Sequence, residues 1–162
     1  MLISHPLENI WVFHFQNKNT SKSWDSAIQR IYEVKTVEGF WRLYSNLPEF
    51  NRLDNCSFYL FKKGIKPDWE DPKNRGSGRF LFDCEEVVKF WKFSQLAVIG
   101  EMISDKICGV SCNKKNLYNI SFWIEKSSEE EIHLIGNTIK KELNLIKLIF
   151  VNHSDKHKYF VI

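Results

Sequence analysis

The sequence predicts an α+β fold in one domain, residues 1–162, built on an antiparallel sheet. Three observations lead there. A chain of 162 residues suits a single core, which at this size removes roughly two-thirds of the unfolded surface from water. Aromatic and β-branched runs of strand length recur from end to end, broken by three helical patterns without the strict alternation of βαβ units. No repeat, low-complexity tract or linker-like change of composition divides the chain.

In order, "IWVFHF" at 10–15 reads as a strand. The first helix has Thr36 as N-cap and the apolar stripe Val37, Phe40, Trp41, Tyr44 at i, i+3, i+4, i+7. "CSFYLF" at 56–61 and "GRFLF" at 78–82 are strands, separated by a segment of almost pure turn chemistry. The second helix spans 84–100; at about 100° per residue, Cys84, Val87, Trp91 and Val98 fall on one side and Phe93, Leu96 and Ala97 nearly opposite. Two apolar sides require two partners: either two layers of the same chain, or one layer and another protein. "NISFWIE" at 119–125 is a further strand. The third helix opens with a capping box, Ser128 and Glu131, carries Ile132, Ile135, Ile139 and Leu143, and stops at Asn144. Strands at 145–151 and 158–162 finish the chain.

Composition narrows the function. A net charge of +3 is too small for broad coating of nucleic acid, so a nucleic-acid target is small and held by local cations. The 15% aromatic content, with six Trp and 13 Phe, is the unusual quantity. The N-terminus has no basic segment followed by an apolar one, and no apolar run nears the ~18 residues of a membrane span, so a cytoplasmic protein is expected. Cys56, Cys84, Cys108 and Cys112 form no CxxC and read as reduced structural thiols. The five histidines make no metal-ligand pair, and no Ser stands in a GxSxG turn.

"GIKPDWEDPKNRGSGR" at 64–79 sets Trp69 among two prolines, three glycines and carboxylates. Trp24 stands in an equally polar stretch, "NKNTSKSWDS". Each ring is either a half-buried loop anchor or a plate of a slot for a flat ligand; a cation over indole gains roughly 0.5–2 kcal/mol. Glu70 offers two acceptors that match the N1–H and N2–H donors of guanine, whereas Asp68, Glu70 and Asp71 also read as solvated charges or turn caps. Lys73, Arg75 and Arg79 surround "GSG", where glycines at 76 and 78 would admit a phosphate to the backbone, and Lys114 and Lys115 add a second basic spot.

The blocks "HPLENIWVF", "SKSW", "TVEGFWRLY", "LFKKGIKPDWEDPKNRGSGR", "IGE" and "CGV", followed by the strand around Trp123, run through nearly the whole chain. In that order they resemble the mRNA cap-binding eukaryotic translation initiation factor 4E family. The resemblance implies a single cap-binding domain: a curved, mainly antiparallel sheet with three helices on its convex face and a slot for 7-methylguanosine on the concave one. It makes Trp24 and Trp69 the stacking plates, Glu70 the reader of the guanine edge, and Trp123 the contact for the N7-methyl group. It gives phosphate contacts to Arg79 and Lys115, where Lys115 replaces a usual Arg. The family's next phosphate lysine falls on Asn119, which leaves Lys114, Lys156 and Lys158 as substitutes.

On the convex face the resemblance implies that Val37, Trp41 and Leu96, with His5 and Pro6 at the edge, grip a helical peptide of a scaffold initiation factor or an inhibitory binding protein. Lys92 and Phe93 depart from the family pattern there. A monomeric, non-enzymatic protein is expected, one that binds capped mRNA and recruits it to translation without cofactor, metal or membrane. The alternatives are a cap-binding translational repressor and a cap-hydrolysing enzyme; the latter needs an acidic metal-binding helix or a histidine nucleophile, and neither is visible.

Overall fold

The computed structural model describes residues 3–20, 23, 27–155 and 159–162. Its elements follow the chain as β1 (Pro6–Asn17), β2 (Ile28–Thr36), α1 (Val37–Asn46), a 3-10 turn (Phe50–Arg52), β3 (Cys56–Lys62), β4 (Gly78–Cys84), α2 (Val87–Ile99), β5 (Ile107–Lys114), β6 (Tyr118–Ile124), α3 (Glu129–Leu143), β7 (Ile149–Asn152) and β8 (Tyr159–Val161). The strands form one eight-stranded sheet in the order β2-β1-β3-β5-β6-β4-β7-β8, antiparallel at every pairing.

Successive side chains of a strand point to opposite faces, and the sequence uses the two faces differently. Phe58 and Leu60 of β3, Val110 and Cys112 of β5, Ile120 and Phe122 of β6, and Phe80 and Phe82 of β4 share one core. Phe40 and Leu43 of α1, Val87, Trp91 and Val98 of α2, and Ile132, Ile135 and Ile139 of α3 complete it, so all three helices cover the same face. Each such large side chain contributes roughly 1.5–3 kcal/mol of burial. The alternate residues stand on the open face, where a small cluster of Tyr59, Phe61, Cys108 and Trp123 is the apolar part.

The helix ends follow their capping residues. Thr36 Oγ1 accepts from Gly39 N at 2.9 Å. Ser128 and Glu131 close a reciprocal capping box, and Asn144 ends α3 in the left-handed conformation with φ 51°. All four cysteines are buried free thiols, and burial pushes the Cys84 thiol up to about 11 and Cys108 to about 12.

Several expectations are corrected. Cys84 belongs to β4, opposite Tyr118, and the second helix begins at Val87. Ala97 is buried, so the outward side of α2 reduces to Phe93 and the half-buried Leu96. The stripe of α1 straddles the boundary of the core: Gly39, Phe40 and Leu43 are buried, while Val37 and Trp41 stay 39% and 41% exposed. Two strands were not foreseen. β2 pairs with β1 alone and carries Arg30, Glu33 and Lys35, which blur its alternation. β5 reads "ICGVSCNK", with small residues and Asn of low strand propensity.

Gly109 of β5 fixes the geometry of the open face. It lies between Phe61 and Trp123 in the register, and the two rings meet edge to face at 5.5 Å. A Cβ at position 109 would stand 2.3 Å from Phe61 Cγ, inside the ring. Gly109→Ala is therefore expected to cost roughly 1–3 kcal/mol through overpacking. Urea unfolding reads this directly, and an unchanged midpoint would mean that Phe61 turns aside freely.

Candidate functional site

Cross-strand register assembles the open face in rows. One row runs Phe61, Gly109, Trp123, Arg79, Val151; the next runs Tyr59, Ser111, Ser121, Leu81; a third runs Ser57, Asn113, Asn119, Asp83. Each row alternates with the core residues already described. Trp123 is fixed on three sides. Its indole Nε1 donates to Ser111 Oγ at 3.0 Å, the Arg79 guanidinium lies 5.3 Å from its ring centroid, and the His153 ring lies at 4.8 Å. Tyr59 is anchored by donating its hydroxyl to Gln16 Oε1 at 2.9 Å.

The turn-rich segment between β3 and β4 is held above this face by its own side chains. Asp71 accepts from Lys66 N and Lys73 N, both at 2.9 Å, and Asp68 accepts from Glu70 N at 3.0 Å. Both aspartates are thus turn caps. Asn74 is completely buried and donates from Nδ2 to Lys66 O at 3.0 Å and Asp68 O at 2.7 Å. Those carbonyls flank Pro67, just before Trp69. The backbone carbonyl of Asn74 accepts from His153 Nδ1 at 3.0 Å, so this nitrogen carries a proton and the loop is tied to the ring beside Trp123. Burial is the main cause that lowers the His153 pKa from its ordinary value; the Asn74 carbonyl opposes it and the Arg79 charge adds to it. His153 is therefore neutral at pH 7, and its buried Nε2 has no partner among the described residues.

With the loop so held, Trp69 is 52% exposed and forms a wall of two adjoining cavities. The larger, about 590 Å³, is lined by Trp69, Arg79, Leu81, Lys115, Val151, Asn152 and His153. The smaller, about 280 Å³, shares Trp69, Arg79, Leu81 and Lys115 and adds Tyr59, Ser111, Asn113, Asn119, Ser121 and Trp123. Their sizes suit a nucleotide-sized ligand. Burial lowers the Arg79 pKa, yet an arginine keeps its charge there. The wall therefore combines aromatic faces with two cations, one of which, Arg79, lies over the Trp123 ring.

Four of the six slot residues expected from the sequence, Trp69, Trp123, Arg79 and Lys115, are brought together. Glu70 follows Trp69 on the loop, exposed and outside the lining of either cavity. Trp24 lies outside the described residues, as do Lys156 and Lys158. Lys114 rests 5.3 Å over the Tyr118 ring, and Asn119 donates to Asp83 Oδ1 at 2.9 Å. Gly78 serves packing rather than phosphate approach, since a Cβ there would stand 2.2 Å from Val151 O. Sequence reasoning missed Ser111, Tyr59, Asn74 and His153. Only Asn74 had a local signal, as an Asn within a loop too constrained by proline to be idle.

On the helix-bearing face, Val37 N donates to His5 O at 2.9 Å and Pro6 pairs with Thr36, which brings the first strand against the start of α1. His5 also bonds Glu38 through its ring at 2.6 Å and its backbone at 3.1 Å, and these bonds hold the Glu38 carboxyl down at about 2. Trp41 stands edge-on to Phe40 at 5.1 Å and to Tyr44 at 5.7 Å. Leu96 packs partly on the core, and Lys92 covers the exposed Phe93 ring at 5.3 Å.

Asn74→Ala is expected to remove the two hydrogen bonds that its amide donates to the Lys66 and Asp68 carbonyls, a loss of roughly 1–3 kcal/mol, and to speed amide hydrogen exchange across residues 64–76. Asn74→Asp should be worse despite its equal size, because it turns an acceptor toward both carbonyls. Equal exchange in wild type and both variants would remove Asn74 from its positioning role.

Comparison with known proteins agrees with this geometry. The family model described as eukaryotic initiation factor 4E matches residues 6–159. Eukaryotic translation initiation factor 4E-1 of Arabidopsis thaliana is 37% identical, over 96% of this chain and 71% of that protein. The human eukaryotic translation initiation factor 4E is 34% identical, over 94% and 77%. Among solved structures, Ascaris suum eIF4E-3 in complex with the m7G cap superposes with a TM-score of 0.91 at 29% identity, over 99% of this chain and 98% of that one. The schistosome eIF4E complexed with m7GpppG and 4E-BP gives a TM-score of 0.89 at 27% identity, over 97% and 93%. The chain belongs to the eukaryotic initiation factor 4E family.

Proposed function

We propose that this protein binds the 7-methylguanosine cap of mRNA on its open face and recruits the message to translation initiation through a scaffold partner on its helix-bearing face. The observation that carries the reading is the half-exposed Trp69 sharing one cavity with Trp123, Arg79 and Lys115. Methylation at N7 leaves guanine with a delocalised positive charge. An indole face attracts such a ring by roughly 0.5–2 kcal/mol beyond its buried area. Trp69 is one plate and Trp24 the other; Trp123, locked by Ser111, meets the methyl end. Glu70 turns in from the rim to accept the N1 and N2 protons, hydrogen bonds worth roughly 1.5–3 kcal/mol each when charged. Arg79 and Lys115 receive the phosphates.

On the other face, Val37 and Trp41 offer an apolar patch of the kind a helical peptide covers, with Leu96 on α2 and His5 and Pro6 at its border. The peptide belongs to a scaffold initiation factor or to an inhibitory binding protein. The protein works as a monomer in the cytoplasm, by binding rather than by catalysis. No helix of the described residues is long and apolar enough to cross a membrane.

The decisive measurement is a titration with 7-methyl-GTP followed by tryptophan fluorescence, with GTP as the control. Glu70→Gln should bind 7-methyl-GTP more weakly by about 2–4 kcal/mol, because an amide presents a donor to one of the two guanine donors; affinity within twofold of wild type rejects the assignment. Trp41→Ala should lose a scaffold-type helical peptide while keeping cap affinity, and should shift stability by only about 1 kcal/mol given its exposure. Loss of both activities together, with a collapsed melting temperature, would return Trp41 to the core.

A further inference from the structure

We propose that Lys18, just past β1, is a phosphate-binding residue: with Lys115 it forms a two-cation rim that takes the phosphate chain of a capped RNA where that chain leaves the slot. This rests on the cap-binding reading above and deepens it. Register supplies the geometry. Asn17 is paired with Cys56, and Lys18 N then donates to Asn55 O at 2.7 Å. On the other side of β3, Ser57 is paired with Asn113 and β5 ends at Lys114, so Lys115 follows at the same edge of the sheet as Asn55. Lys18, Asn55 and Lys115 thus lie just beyond the neighbouring ends of β1, β3 and β5. Lys115 lines both cavities, which puts Lys18 beside the end of the slot remote from Trp123.

Charge gives this exit its direction. Neither lysine joins any ion pair made by the described residues. The Lys115 charge is close enough to be felt by Lys18. At the opposite end of the adjacent row the face turns acidic: Asp83 holds the Asn119 amide at 2.9 Å. A phosphate chain leaving Arg79 and Lys115 is repelled from β4 and attracted toward β1. Two like charges kept close without a counter-ion are an arrangement that a bound phosphate relieves.

The test titrates wild type, Lys18→Ala and Lys18→Arg with 7-methylguanosine, 7-methyl-GTP and a short RNA carrying the same cap, each over a range of salt. Lys18→Ala should bind the nucleoside like wild type and lose about three- to tenfold toward a phosphate-bearing ligand. Its plot of log affinity against log salt should be flatter by about 0.7, the share of one single-strand phosphate contact. Lys18→Arg should restore both. A loss already present with 7-methyl-GTP assigns the contact to the triphosphate; a loss confined to the capped RNA assigns it to the phosphodiesters beyond. Unchanged affinity and slope for both ligands, or a loss that begins with the nucleoside, overturns the proposal. Failure of the wild type to bind 7-methylguanosine or 7-methyl-GTP would instead reject the cap-binding reading on which it rests.

Discussion

The register of β6 between β5 and β4 is the constraint on which the open face depends. Trp123 has its place because Gly109 stands on one side of it and Arg79 on the other. A slip of one residue would send Trp123 into the core and turn Phe122 to solvent. The fully buried Phe122 and Ile120 therefore set the slot as firmly as the residues that line it. Since the helices cover one face, the other is free to carry Ser111, Asn113, Asn119 and Ser121, polar groups that a second layer would have to satisfy.

The loop above the sheet solves a different problem. On the cap-binding function proposed above Trp69 stacks on a ligand, and such a ring must stay exposed in the free protein, yet be held well enough that binding does not have to order it. Asp68, Asp71 and Asn74 meet both needs by satisfying backbone groups of the loop internally, so the segment keeps its shape without burying Trp69. His153 links that shape to the platform, touching Asn74 on one side and Trp123 on the other. Elements far apart in the chain thus meet around one neutral imidazole.

How much of this was legible in the sequence depended on whether the signal was local. The capping box at Ser128 and Glu131, the N-cap at Thr36 and the alternating strands around Phe58, Phe80 and Phe122 report their structure within a few residues, and all could be read. β2 and β5 could not, because their strand character comes from their neighbours in the sheet rather than from their own composition. The stripe on α1 straddles the core boundary, since periodicity finds an apolar face but cannot say which part of it stays exposed. Trp69, Trp123, Arg79 and Lys115, which line one cavity, were singled out by the resemblance of the surrounding blocks to the initiation factor 4E family rather than by composition or periodicity. Ser111 and His153 act across strands, and nothing adjacent to them in the chain marks that role.

The buried thiols carry a practical consequence. Only a thiolate reacts readily with disulfide or alkylating reagents, and all four cysteines are enclosed, with their acidities weakened by that enclosure. Cys56, Cys84 and Cys112 sit in the sheet's main core, and Cys108 beneath the aromatic cluster of the open face. Chemical modification at neutral pH should therefore be limited by how often the sheet opens. The chain carries its own clock for breathing motions, with Cys108 timing the open face and the other three the helical side.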